Sequence, residues 1–226
     1  MIDVQLTYNA VYKWKTIEPI SVIGYAFSDD ILLKDDELIT YFLEVKNEEE
    51  YIEKLKKLSG HFAVIIQTEV ETFVAVDHIR SFPILIQKNE NKITITDNPI
   101  NNHSYNKNAI ADFEKIYCTQ ENETLLNNYH QLQAGEYAII NTTTQQIEIK
   151  TNFKHSSKAK LSANIDTLKQ VENELIQKIK TISANKTILV PLSGGYDSRY
   201  LVCLLKQNNI TNVECFTYGK KESYEV

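Results

Sequence analysis

One stretch constrains the fold of this chain more than any other. The apolar run Ile188-Leu189-Val190-Pro191-Leu192 is followed by Ser193-Gly194-Gly195-Tyr196-Asp197-Ser198 and then by the amphipathic run from Arg199 to Leu205. A short apolar run, a glycine turn and a helix-period segment read in order as strand, tight loop and helix start. With a second strand expected at Val213 to Thr217, the stretch predicts a β-loop-α-β unit, the start of a parallel sheet whose ligand belongs at the carboxyl end of the first strand. The paired glycines let the backbone take positive φ and approach a ligand without a Cβ in the way. Successive N–H groups at such a turn form an anion nest, and the helix behind it adds the positive end of its dipole. Ser193 and Ser198 supply hydroxyl donors, and Asp197 can hold the Mg²⁺ that accompanies phosphate oxygens. The expected site is therefore Ser193, Gly194, Gly195, Asp197 and Ser198, with Asp197 as the metal ligand and a phosphate or pyrophosphate as the guest.

A plainer reading makes Ser-Gly-Gly a connector and Asp197 a helix cap. The fixed offsets of hydroxyls, glycines and carboxylate between strand and helix favour the phosphate loop. It is of neither common kind, since G-x-x-x-x-G-K-[ST] and G-x-G-x-x-G are both absent. The pattern resembles the S-G-G-x-D-S pyrophosphate loop of the N-type ATP pyrophosphatases. That resemblance implies ATP cleaved between its α and β phosphates, with the loop gripping the pyrophosphate.

A chain of 226 residues, 42% of them hydrophobic, predicts one or two domains with substantial cores. Its net charge of −6 argues against a nucleic-acid binder held by phosphate contacts. Among 24 basic residues only Arg80 and Arg199 are arginines. Cys118, Cys203 and Cys215 lack metal-ligand spacing, and the apolar surroundings of Cys203 and Cys215 predict buried, reduced thiols. The histidines His61, His78, His103, His130 and His155 are scattered without metal-binding spacing. No signal-peptide pattern or bilayer-length apolar run occurs, so a cytoplasmic protein with no membrane partner is expected.

Along the chain, strands are expected at Asp3 to Tyr8, Ile20 to Phe27 and Leu38 to Leu43. Asn47 with Glu50 announces a helix to about Leu58. A meander follows over His61 to Gln67, Thr72 to Asp77, Ile84 to Gln87 and Lys92 to Thr96. A helix is expected from Lys107 to Cys118, and a hairpin from Glu136 to Asn141 and Gln145 to Lys150. Residues 151–163 read as a linker, giving domains at 1–155 and 156–226. Beyond it, Ile165, Leu168, Val171, Leu175, Ile179 and Ile182 form one apolar stripe on a helix. The fold class is thus a layered α+β domain of antiparallel sheets with helices, then the start of an α/β parallel-sheet nucleotide-binding domain.

Several short segments in fixed order resemble the asparagine synthetase family. These are Leu58-Ser59-Gly60-His61-Phe62-Ala63, Asp77-His78-Ile79-Arg80-Ser81-Phe82-Pro83-Ile84, and Thr124-Leu125-Leu126 followed by Gln131-Leu132-Gln133-Ala134-Gly135-Glu136-Tyr137. Ser193 to Ser198 and Phe216-Thr217-Tyr218-Gly219 complete the set. The resemblance covers about residues 55–226. It implies an Ntn-hydrolase-like amidotransferase domain ahead of a synthetase domain that uses ATP and Mg²⁺ to join a carboxylate to an amine, releasing AMP and pyrophosphate. Arg80 then reads as an ion-pair partner of Asp77 or as the trace of a lost binding site, the first being preferred.

Two departures qualify this. Active family members hydrolyse glutamine with an N-terminal cysteine, whose α-amine acts as base. Here position 2 is Ile2, and no N-G-E-type glutamine-binding segment is found, so a degenerate glutaminase is expected, with no catalytic residue assigned. The amine would be free ammonia or an amino group of another substrate. The second departure is length: the synthetase-like part ends soon after its second strand, which a parallel sheet cannot leave uncovered. Either the sequence is a fragment of a longer protein or another chain, such as a second copy, completes the sheet edge. A non-catalytic binding or scaffold protein that kept the fold is the alternative reading.

Overall fold

The computed structural model describes residues 1–8, 10–90, 92–99, 104–156 and 164–219. The chain divides into two compact units, Met1–Ser156 and Ser157–Val226. The first contains β1 (Ile2–Gln5), β2 (Lys15–Ile17), β3 (Ile20–Ser28), β4 (Ile31–Lys34), α1 (Asp36–Phe42), α2 (Glu48–Lys56), β5 (Leu58–Gln67), β6 (Glu71–Val76), β7 (Leu85–Asn89), β8 (Lys92–Thr96), α3 (Lys107–Ile116), β9 (Tyr129–Gln131), β10 (Glu136–Asn141) and β11 (Ile147–Thr151). The second contains α4 (Ile165–Ile182), β12 (Ile188–Pro191), α5 (Tyr196–Gln207) and β13 (Val213–Phe216).

In the first unit a seven-stranded antiparallel sheet runs β11-β10-β6-β5-β3-β2, with β4 also paired to β3. The period-2 alternation of a strand sends successive side chains to opposite faces. Phe62, Val64 and Ile66 of β5, Phe73 and Ala75 of β6, and Tyr137 and Ile139 of β10 pack on one face with Leu38, Ile39 and Phe42 of α1 and Tyr51 and Leu55 of α2. The intervening Ala63, Ile65, Val74, Val76, Ala138 and Ile140 pack on the other face with Ile86, Ile93 and Ile95 of the second sheet. That four-stranded sheet runs β1-β8-β7-β9, with β1 parallel to β8. Burial on both faces explains why β5 and β6 read as almost continuous apolar runs. The result is a layered α+β unit: helices, a large sheet, a small sheet.

The expected strand over Leu38 to Leu43 is a helix instead. Leu38, Ile39 and Phe42 are buried, and Asp36 and Glu37 lie in the first turn of α1, where carboxylates favour the helix dipole. A short apolar run does not by itself separate the two conformations. The strand expected over Asp3 to Tyr8 stops at Gln5, and β2, β4 and β9 carried no expectation.

In the second unit β12 and β13 pair in parallel, and the cluster of Ile176, Val190, Leu204, Leu205 and Ile210 forms the core. Of the apolar stripe on α4, Ile165, Leu168, Val171 and Leu175 are exposed. Only the carboxyl-terminal half of α4 meets the core, through Ile176 and the partly buried Ile179. A pair of strands is shorter across than an 18-residue helix is long. Cys203 and Cys215, expected to be buried, are exposed, as is Cys118. In α5 the core forms on the side of Leu204 and Leu205, away from Cys203, whereas in β13 Cys215 shares a face with Val213 and the core reaches only Val213. Among the described residues no helix is long and apolar enough to cross a membrane.

Candidate functional site

Ser193, Gly194 and Gly195 form the connection from the carboxyl end of β12 to α5, and Asp197 and Ser198 lie in the first turn of that helix. The strand end is anchored where the Leu192 N–H donates to the Phe216 carbonyl at 2.7 Å, continuing the ladder with β13. The turn is then closed by its own hydroxyls. The Ser193 N–H donates to Ser198 Oγ at 3.1 Å, and the two hydroxyl oxygens are 3.3 Å apart. The Gly195 N–H donates to Ser193 Oγ at 3.2 Å. The structure thus brings both serines together across the turn.

The guanidinium of Arg199 holds the opposite side. Its Nε donates to the Gly195 carbonyl at 3.0 Å and an Nη to the Gly194 carbonyl at 2.7 Å, while its carbon lies 5.1 Å from the ring centre of Tyr196. Sequence reading named Arg199 only as the first residue of an amphipathic run. Its scarcity was the available signal, because a rare arginine next to a glycine turn has a fork suited to two carbonyls.

The loop does not use the positive φ that its glycines allow. Gly195 has φ −71, and neither it nor Gly194 is among the positive-φ glycines. Ser193 hydroxyl contacts and the Arg199 fork shape the turn with ordinary dihedrals, so no left-handed residue is needed. What remains is open space at Gly194 and one tight neighbour at Gly195. A Cβ at Gly195 would meet only Ser193 Oγ, at 3.2 Å, and one at Gly194 would meet nothing within contact distance. Gly24 is the contrast: φ is +88, and a Cβ would lie 2.0 Å from the His61 carbonyl oxygen. Protein packing demands glycine at Gly24 and does not demand it at Gly194 or Gly195.

The amino end of α5 is also bare. Asn47, Asn106 and Asn164 each accept first-turn N–H groups at α2, α3 and α4, whereas Gly195 gives α5 no side-chain cap, as Asp35 gives none to α1. Uncapped first-turn amides and the dipole favour an anion there. Asp197 is exposed and is the acidic residue of that turn. Among the described residues no group of three or more His, Cys, Asp or Glu side chains gathers to hold a metal. A hard cation at Asp197 would therefore draw its remaining oxygens from hydroxyls, water and the guest itself.

In the first unit, Asp77 is buried and organises the turn that follows β6. Its carboxylate accepts the N–H groups of Phe62, Ile79 and Ser81 at 3.1, 2.8 and 2.9 Å. The expected pairing of Asp77 with Arg80 is not made. Arg80, at φ +57, donates instead to Gln131 Oε1 at 2.8 Å. The backbone amides satisfy the carboxylate, and the left-handed backbone directs the arginine towards β9. His61 lies in β5, with Nδ1 2.7 Å from Ser81 Oγ. Ile2, at the position where the family resemblance places its nucleophile, packs its side chain against the core between the sheets.

No family model matches the chain, and no curated protein matches it. Among solved structures, a match described as the structure of the allosteric regulatory enzyme of purine biosynthesis has 12% identity and a TM-score of 0.33, over 92% of this chain and 48% of that one. The glutamine phosphoribosylpyrophosphate amidotransferase from B. subtilis, complexed with ADP and GMP, has 13% identity and a TM-score of 0.35, over 90% of this chain and 47% of that one. The chain spans about half the length of each of these structures.

Proposed function

We propose that this chain is an asparagine-synthetase-like module of an ATP-dependent, AMP-forming amide ligase, with an amidotransferase-like first unit that has no glutaminase activity. One observation carries the reading. Gly194 and Gly195 stand beside an uncapped helix end without a positive φ, and a Cβ would meet open space at Gly194 and the Ser193 hydroxyl alone, at 3.2 Å, at Gly195. A guest of pyrophosphate size accounts for both the missing side chains and the missing cap. Bound nucleotide would supply an activated α-phosphate for a carboxylate substrate, and Mg²⁺ would neutralise charge on the pyrophosphate.

The residues divide the work. Ser193 and Ser198 donate hydroxyl hydrogen bonds, Gly194 and Gly195 admit the phosphates to the backbone, and Asp197 holds the metal. Arg199 is a positioning residue, because its fork occupies the two glycine carbonyls and so fixes the peptide planes of the loop. Ammonia or another amine is the acceptor in this reading, since Ile2 offers no nucleophile at the chain's second position.

The test is calorimetric titration of the longest form of the protein with ATP and with inorganic pyrophosphate, each with Mg²⁺. Saturable binding is expected. Gly195→Val, which places a branched side chain where the guest enters, and Asp197→Asn should each weaken it by tenfold or more, about 1.4 kcal/mol. Unchanged affinity in both variants removes the site from this loop. Binding without release of AMP and pyrophosphate from ATP in the presence of any carboxylate would favour the non-catalytic binding protein.

A further inference from the structure

A cavity of about 100 Å³ in the first unit is walled by Tyr8, Trp14, Phe82, Pro83, Ile23 and Asp97. Topology explains how these residues meet. Because β1 and β8 are parallel and Gln5 is in register with Thr96, the chain leaves both strands at the same end, which places Tyr8 beside Asp97. Phe82 arrives from the turn organised by Asp77. Gly24 lets it come close, since a Cβ there would stand 2.6 Å from Phe82 Cε2.

The rings stand at steep angles to one another. Tyr8 and Phe82 are 6.3 Å apart at 67°, and Tyr12 backs Phe82 from 5.5 Å at 82°. Asp97 fixes the remaining wall. Its carboxylate accepts the Trp14 Nε1–H at 2.6 Å, the Tyr8 N–H at 2.8 Å and the Thr7 N–H at 2.9 Å. The indole is pinned through its nitrogen, and a negative charge lies in the wall of an aromatic box.

That combination selects by chemistry. Aromatic faces carry negative potential and attract cations, most of all desolvated ones. An anion would be repelled by Asp97. A primary ammonium would need acceptors for its N–H groups, and the Asp97 oxygens already serve the backbone and Trp14, while the Ser81 hydroxyl, also in the wall, is paired with His61 Nδ1 at 2.7 Å. A bare metal ion finds no cluster of ligating side chains among the described residues. We propose that this pocket binds a small quaternary or fully methylated ammonium group, which has positive charge, apolar surface and no N–H to satisfy.

The chain contains a single tryptophan, and it is Trp14, so fluorescence excited selectively at the indole, beyond tyrosine absorption, reports on this pocket. Titration with tetramethylammonium chloride, against sodium chloride at matched ionic strength, should give a saturable change. Choline should compete, and its neutral isostere 3,3-dimethylbutan-1-ol should bind about tenfold more weakly or worse. Phe82→Leu and Tyr8→Leu should each weaken tetramethylammonium by roughly three- to tenfold. Tyr8 is 43% exposed, so its variant tests the ring without disturbing the core if the Phe82 variant misfolds. Calorimetry gives the same titration without relying on the indole. No saturable signal by either method, equal binding of choline and its neutral isostere, or wild-type affinity in Tyr8→Leu would each overturn the assignment.

Discussion

At the scale of single residues, Asp77 shows how one carboxylate can define a loop. It is buried, and the donors that satisfy it are backbone amides of Phe62, Ile79 and Ser81, while its own carbonyl accepts from Arg80 and Gly135. Removing it leaves the buried Phe62 N–H and the half-buried Ile79 and Ser81 N–H groups without that partner, at about 1–3 kcal/mol each where water cannot replace it. Asp77→Ala should therefore lower unfolding stability by about 3 kcal/mol or more in a urea titration, and Arg80→Ala by much less. Equal effects would return Asp77 and Arg80 to a single ion pair. The segment Asp77 to Ile84 stood out in the sequence, but its wiring did not. Amides have no letter in a sequence, so a carboxylate three residues from an arginine reads as a salt bridge even when the backbone satisfies it.

At the scale of elements, legibility followed periodicity. β5, β6, β8, β10, α2 and α4 were all visible as runs or stripes, and the Asn47 cap accepts the Glu50 N–H as its spacing suggested. Short pieces such as β2, β4 and β9 lacked enough residues to show a period, and their pairing is imposed by neighbours. The loop from Ser193 to Ser198 was visible as residue types, but its conformation was not, because Arg199 and the serine hydroxyls settle the dihedrals through contacts. The tie between α2 and the sheet is another such contact. Lys150 of β11 bonds Glu48 at 2.9 Å, and the Tyr137 hydroxyl donates to the same carboxylate at 2.8 Å. Hydrogen bonding by Lys150 holds the Glu48 carboxyl below its ordinary value, and burial together with Glu48 pushes the Tyr137 hydroxyl up to about 12. A lowered folded-state value means the contribution is complete above the ordinary glutamate value and lost as pH falls through the folded one. Glu48→Gln should consequently narrow the stability difference between neutral and acid pH in thermal unfolding, with the gap to wild type closing at the acid end. A gap that stays constant with pH would show that the carboxylate's charge is not what matters there.

At the scale of the whole molecule, the two units differ in how much core each can build. The first buries apolar residues on both faces of its large sheet, while the second centres on Ile176, Val190, Leu204, Leu205 and Ile210 beside a pair of parallel strands. Apolar burial drives cooperative protection, and an open strand edge invites pairing with another chain. Hydrogen exchange should show slow amides in β5, β6 and β10 and distinctly faster ones in α4, β12 and β13. Equal protection in both units would contradict this division, and protection of β12 and β13 that rises with protein concentration would identify a second copy at the strand edge. The parallel pairing of β1 with β8 has a consequence for synthesis. Residues 2 to 5 leave the ribosome well before their partners, 93 to 96. Until that far segment has been translated, β1 has no ladder to join, so β2 to β6 can pair while it waits, and β10 and β11 complete the large sheet only after its partner has emerged.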